Sequence, residues 1–260
     1  MKSKALYPLS QFLSLAFPEA APGVSVVSVI SGGLDSSILT AMLVEKYGAE
    51  NVYPLSFDYR QKQREELNRA AHTCMGLGLT HKVIDMGVLG DIARVVSTNI
   101  SGSDIDMPTI SDVIGDPQPV TYVPYRNMIL NAFAMSYAES VGASYVFSGL
   151  QATDSYGYWD TTSSFVDAMN AVSALNRKHK IQLKAPFTGL SKKDEIGMAL
   201  QLKTPMKFES TLTCYNPDKQ HRSCGVCPSC SERISAFISN GIKDPVEYSV
   251  EIPWEKYGIK

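Results

Sequence analysis

Val24-Ser25-Val26-Val27-Ser28-Val29-Ile30 runs directly into Ser31-Gly32-Gly33-Leu34-Asp35-Ser36-Ser37, and an apolar periodic segment follows from Ile38 to Tyr47. A β-branched run, two glycines and an amphipathic stretch predict strand, sharp turn and helix. Glycine reaches φ > 0, so successive backbone N–H groups can converge on one point. The helix N-terminus adds free N–H groups and partial positive charge. Ser31, Ser36 and Ser37 add hydroxyl donors. The stretch therefore predicts a grip on the phosphates of ATP by Ser31, Gly32, Gly33, Leu34, Asp35, Ser36 and Ser37. Asp35 is the odd member, because a carboxylate beside phosphates needs a cation or an N–H partner. It reads as helping to place Mg²⁺ or ordering the loop. The Walker spacing Gly-x-x-x-x-Gly-Lys-Ser/Thr is absent from this stretch.

The chain has 260 residues, 44% of them hydrophobic and 19% charged. That suits one α/β domain with a small appendage or two modest domains. A net charge of −2 gives no general attraction to nucleic acid. No apolar stretch is long enough to span a membrane. Leu9, Phe12, Leu13, Ala16 and Phe17 fall at the spacing of an amphipathic helix, so residues 1–23 read as a docking helix of a cytoplasmic protein.

Strand and helix patterns then alternate. Strands are expected at 24–30, 52–58, 82–85 and 145–148, and helices at 34–47, about 61–75 and 127–141. The helix Asn127–Val141 is apolar nearly all round and is expected to be buried. Ser97–Val120 is rich in Ser, Asp, Gly and Pro and reads either as a lid over the site or as a solvated insertion. The alternation predicts the fold class: α/β, a Rossmann-like doubly wound parallel sheet. The stretches after Ile30, Asp58 and Ser148 should meet at the carboxyl ends of the strands. The domain reading is 24–200 for the phosphate-loop domain and 201–260 for a C-terminal segment.

That segment holds Cys214, Cys224, Cys227 and Cys230, spaced Cys-x9-Cys-x2-Cys-x2-Cys. Four thiolates suit a closed, structural tetrahedral Zn²⁺ site. An iron–sulfur cluster is the rival occupant, and disulfides do not suit a cytoplasmic chain. Cys74 stands apart and reads as a small core residue.

The loop resembles the PP-loop of the N-type ATP pyrophosphatases (adenine nucleotide alpha hydrolase-like). The resemblance implies a break at the α-phosphorus with release of pyrophosphate. Together with other segments it resembles the 7-cyano-7-deazaguanine synthase (QueC) family from about Val24 to Phe237. The segments are Phe57-Asp58-Tyr59-x-Gln61, Val123-Pro124-x-Arg126-Asn127, and Gly149 with Asp154, Gly157, Tyr158, Asp160 and Phe165. Ala185-Pro186-Phe187 with Lys193, Glu195 and Ile196 follows, then Thr211–Asn216, the remaining cysteines and Arg233. The resemblance implies a ligase for queuosine biosynthesis that takes 7-carboxy-7-deazaguanine, ATP and ammonia. The acid is adenylated, ammonia displaces AMP to give an amide, and a second ATP activates the amide for loss to the nitrile. It further implies that Arg126 and Lys193 steady the α-phosphate beside Asp35 and Ser36 as catalytic residues. Tyr59, Gln61, Asn127, Gly149, Asp154, Tyr158 and Asp160 would bind substrate, and the chain would be a homodimer.

Four departures stand out. The family usually has Gly where Arg60 and Tyr125 stand, His at Gln63, and a Pro-Asp-Cys-Arg-x-x-Phe run where Trp159–Phe165 lies. All fall near the expected substrate crevice. A second reading therefore keeps adenylation but stops at an amide, formed with ammonia or with an amine of a partner such as a protein. A third, of another class, is a non-catalytic nucleotide-binding module.

Overall fold

The computed structural model describes residues 8–106, 116, 118–151 and 158–259. Five strands form one all-parallel sheet: β1 (Val26–Val29), β2 (Val52–Asp58), β3 (Lys82–Asp85), β4 (Tyr145–Ser148) and β5 (Gln182–Lys184), in the order β3-β2-β1-β4-β5. From β1 the chain winds outward to β2 and β3, then returns past β1 to β4 and β5. The direction of winding reverses between β1 and β4, the place where parallel sheets of this kind open a crevice at their carboxyl edge.

Eight helices of seven or more residues accompany the sheet among the described residues: α1 (Leu9–Ala16), α2 (Leu34–Tyr47), α3 (Glu65–Gly76), α4 (Gly87–Ala93), α5 (Arg126–Val141), α6 (Ser163–Ser173), α7 (Lys192–Ala199) and α8 (Pro228–Ser239). Parallel strands are covered on both faces, and β1 shows this residue by residue. Val26 joins a core with Leu39, Phe147, Ile196 and Phe237, while Val27 joins another with Leu55, Val146, Ala134 and Leu183. That is why valine or isoleucine fills five of the seven positions 24–30 without strict alternation, Ser25 and Ser28 being the exceptions.

α1 docks as its spacing predicts. Phe12 stacks against Phe187 with centroids 6.2 Å apart, and Phe17 against Phe147 at 5.2 Å. Two expectations shift. The helix expected from about Gln61 begins at Glu65, because Arg60 turns the chain with φ 64° and Gln61 bridges to Ile100 instead. The helix expected to be buried all round buries only Asn131, Ala134 and Ala138 and leaves Phe133 exposed. Ala134 and Ala138 sit fully in the core, Ile129, Leu130, Met135, Tyr137 and Val141 pack against it half-buried, and Met128 and Phe133 face outward. The ends of the stretch 97–120 are tied down, with Thr98 N donating to Val120 O (3.1 Å) and Asn99 Nδ2 to Thr121 O (2.7 Å). Most of its centre, where a lid was expected, lies outside the described residues.

The C-terminal segment is fastened through one buried cation. Arg233 on α8 is 1% exposed. It donates to both oxygens of Asp244 (2.6 and 3.0 Å), to Thr211 and Thr213 Oγ1 (2.7 and 2.9 Å) and to Phe208 O (3.1 Å). Removing one member of such a pair strands the other charge away from water. Asp244→Ala is expected to cost about 3–5 kcal/mol, read as a lower urea midpoint with unchanged slope.

Candidate active site

The phosphate loop joins β1 to α2, with Gly33 as the helix cap and Leu34, fully buried, as its first residue. Ser36 Oγ accepts from Ser31 N (3.1 Å) and meets Ser31 Oγ at 3.0 Å, so the two hydroxyls brace the turn. Ser37 Oγ is buried with no partner among the described residues. Gly32 has φ 92°, and a Cβ there would lie 2.0 Å from the Glu66 carbonyl oxygen. At the tip of β4, a Cβ on Gly149 would meet Ser36 N at 3.2 Å. Both glycines thus let backbone approach backbone around the loop.

Asp35 has found its cation. Lys192, the first residue of α7, is buried and reaches Asp35 Oδ2 at 3.3 Å and Glu232 Oε2 at 3.2 Å. It also donates to Gln151 Oε1 at 2.6 Å. Gln151 Nε2 in turn donates to Glu195 Oε1. Burial alone would lower the Lys192 pKa, but Asp35 and Glu232 more than reverse this and hold it charged. Burial raises Asp35, and Lys192 pulls it back. Burial and the neighbouring Asp35 raise Glu195 well above the usual carboxyl range, so this carboxyl keeps its proton. Asp35 Oδ1 and Glu195 Oε2 are buried with no other donor among the described residues, and the proton that Glu195 keeps is what bonds the two carboxyls to each other.

The expected lysine was Lys193. The structure brings Lys192 to the loop instead, because neighbours on a helix point about 100° apart and only one can face Asp35. Lys193 is partly exposed, and its carbonyl accepts from Asn240 Nδ2. Lys192, Gln151 and Glu232 escaped the sequence reading, as each is a lone polar residue with no local pattern. The Ser191–Asp194 capping box was a usable signal, since it fixes where α7 starts and hence which way Lys192 points.

On the opposite wall Arg126 opens α5 and donates to Tyr59 Oη at 3.5 Å. Burial opposes its charge, but Tyr59, Tyr158 and Asp160 more than compensate, and the guanidinium is held protonated. Other expected substrate residues are engaged locally. Gln61 accepts from Tyr59 N (3.0 Å) and donates to Phe57 O (3.1 Å). Asp160, buried, accepts from Asn127 N at 3.1 Å and so caps the start of α5. Tyr158 Oη lies 2.7 Å from Thr121 Oγ1. Asp154 and Gly157 lie outside the described residues. Glu66, which carried no sequence signal, is half-buried beside this wall. Burial pushes its carboxyl up to about 7 against the pull of Arg126.

The four cysteine sulfurs lie within 4.8 Å of one another, and Cys224 Sγ and Cys230 Sγ are 3.9 Å apart. Tetrahedral thiolates about 2.3 Å from one ion would be spaced at nearly that distance. Backbone N–H groups point at the sulfurs: Asn216 N and Cys224 N to Cys214 Sγ, and Cys227 N to Cys224 Sγ (3.2–3.3 Å). Hydrogen bonds from Cys214 and Cys230 push the Cys227 thiol down, and those partners rise in exchange, Cys214 to about 12. The cluster can hold a metal. It also abuts the loop: Leu212 N donates to Gly32 O (3.0 Å), and Gln63 Nε2 to Tyr215 O (2.8 Å).

A glycine loop at the switch point of a parallel sheet, with the buried Lys192 on its aspartate and a cluster of four cysteines behind it, defines a PP-loop-type α/β protein. The chain belongs to the family described as queuosine biosynthesis protein QueC, which it matches over residues 25–241. It is thereby a ligase-type enzyme of a family that uses ATP. It is 36% identical over 222 residues to the 7-cyano-7-deazaguanine synthase of Marinomonas sp. (strain MWYL1), covering 85% of this chain and 97% of that protein. The protein of the same name from Methanobrevibacter smithii is 32% identical, over 86% of this chain and 97% of its own length. Among solved structures, the U34-tRNA thiolase NcsA from Methanococcus maripaludis aligns with 89% of this chain and 71% of its own, at a TM-score of 0.48 and 14% identity.

Gly32→Ala should cost about 3 kcal/mol or more, since strain at positive φ adds to a collision with α3. Gly142→Ala, with φ 72° and open space around it, should cost only about 1–2 kcal/mol. Urea denaturation of the two variants checks the difference, and only Gly32→Ala should weaken nucleotide binding in a calorimetric titration.

Proposed function

We propose that this enzyme adenylates the carboxylate of 7-carboxy-7-deazaguanine and passes the acyl group to ammonia, giving 7-cyano-7-deazaguanine through the amide. The observation that carries the reading is a pair of cations held charged, Lys192 buried beside the phosphate loop and the half-buried Arg126 at the start of α5. A carboxylate must approach the α-phosphate of ATP, and two anions meet only where fixed positive charge awaits them. The loop from Ser31 to Ser37 holds the outer phosphates. Arg126 steadies the approaching acid and the α-phosphate, with Tyr59 fixing the guanidinium. Lys193, a residue further along α7 from Lys192, is left a peripheral role at the rim. Asp35 Oδ1 and, once a cation displaces its proton, Glu195 Oε2 are hard oxygens suited to Mg²⁺, whose charge would shield the phosphates. The four thiolates suit Zn²⁺ in a closed, structural site. Family resemblance supports a homodimer acting in the cytoplasm, and among the described residues no helix is long and apolar enough to cross a membrane.

A second reading has its own observation. Tyr125 and Trp159 stand exposed beside Arg126 with ring centroids 5.5 Å apart, and Tyr125 keeps a left-handed backbone (φ 53°) that a side chain ordinarily avoids. This aromatic rim favours an acceptor larger than ammonia, with the reaction ending at an amide.

One assay separates them: Mg-ATP, 7-carboxy-7-deazaguanine and ammonium, followed by AMP, pyrophosphate and product mass. The first reading requires two AMP per nitrile. An amide that never dehydrates, or AMP that needs an added amine partner, supports the second. Asp35→Ala and Arg126→Ala should each lower AMP formation by about 100-fold or more. Metal analysis should find one zinc per chain, and chelation should lower the melting temperature whether or not nucleotide is present.

A further inference from the structure

An ammonium group has three donors, and three acceptor oxygens already crowd the one on Lys192. Gln151 Oε1 lies at 2.6 Å, Glu232 Oε2 at 3.2 Å and Asp35 Oδ2 at 3.3 Å. The lysine stands beside the phosphate loop, yet a phosphate oxygen can join it only where one of these partners yields. The three are not equally free to do so. Gln151 is 1% exposed and is held from its other side by donating to Glu195. Asp35 belongs to the first turn of α2, inside the loop itself. Glu232 comes from outside, on the cysteine-bearing helix α8. Its side chain is 37% exposed, and Lys192 is its one ion-pair partner among the described residues. The next residue, Arg233, is clamped by Asp244, Thr211 and Thr213, which anchors the helix. Release therefore needs only a turn of the Glu232 side chain into water, with α8 left in place.

We propose that Glu232 is a placeholder for a phosphate group of ATP: it pairs with Lys192 in the empty site, withdraws when nucleotide binds, and so sets the affinity for ATP by competition. The inference rests on the reading of the loop and Lys192 as the nucleotide site. Its logic is that of a buried cation, which must keep anionic partners at all times because water does not reach it. Glu232 supplies one of them while the site is empty. One anion then replaces another, and the ammonium is never stripped of partners. Gln151 and Asp35 stay in place, so the group meets the phosphate already aimed. The arrangement also opposes binding. A carboxylate on Lys192 repels an incoming triphosphate, and part of the interaction with nucleotide is used to displace it.

The test measures Mg-ATP binding to the full-length protein by calorimetry, in the absence of any acid substrate. The sign of the change decides, because loss of a structural prop weakens binding and loss of a competitor tightens it. Glu232→Gln should lower the Kd for ATP by about fivefold or more. In a Lys192→Met background the same substitution should leave the Kd within about twofold, since the two residues act as a pair. In turnover the change should appear in the KM for ATP rather than in kcat. Folded E232Q that binds ATP no tighter than wild type, or the same tightening without Lys192, would overturn the placeholder role and leave the nucleotide site standing. Wild-type protein that binds no Mg-ATP would overturn both. Should E232Q not fold, Glu232→Met keeps the length, removes the charge and decides by the same sign.

Discussion

The ammonium group of Lys192 is the point on which the catalytic end of the molecule converges. It joins the start of α2 through Asp35, the segment after β4 through Gln151 and the cysteine-bearing helix α8 through Glu232. Three carboxyls share this neighbourhood with one lysine. That balance is tolerable away from water only because Glu195 keeps its proton and Gln151 can donate to one carboxyl while accepting from the lysine. The arrangement makes Asp35 a fixed charge rather than a mobile one. Asp35 Oδ1 has no donor among the described residues beyond the proton that Glu195 keeps.

Around that point the fold depends on backbone approaching backbone. α3 closes on Gly32, β4 closes on Ser36 through Gly149, and the segment before the cysteines donates from Leu212 to Gly32. The loop is thus enclosed from three sides by elements far apart in the chain. The stretch that brings Leu212 there has little regular secondary structure of its own. It is held by the Arg233–Asp244 pair and by the cluster of thiolates, which together take the place of a larger core.

Two departures from the family pattern acquire a common physical meaning. Arg60 and Tyr125, where the family usually has glycine, both sit at positive φ (64° and 53°). The backbone shape has been kept and a side chain added, at a conformational cost of about 1–2 kcal/mol each. Arg60 offsets it by pairing with Asp58 and Asp85 across Gly87 and Gly90. Tyr125 offsets it through its N–H, which donates to Tyr122 Oη (2.8 Å), and through the edge of Trp159. The phosphate loop carries no such change.

Local chemistry was legible in the sequence. The glycine turn, the valine-rich strand, the amphipathic docking helix and the cysteine spacing each describe a short-range constraint within one short stretch of chain. They determined the α/β class, the position of the loop and the metal-binding group. What the sequence did not carry is which of two adjacent lysines faces inward, that Gln61 and Asp160 spend their side chains on backbone groups, and that Glu232 comes to lie beside Lys192. Those are decided by the start of α7, by the turn at Arg60 and by the packing of α8 against α7. Such facts exist only once distant segments are packed, because a buried charge is defined by partners dozens of residues away.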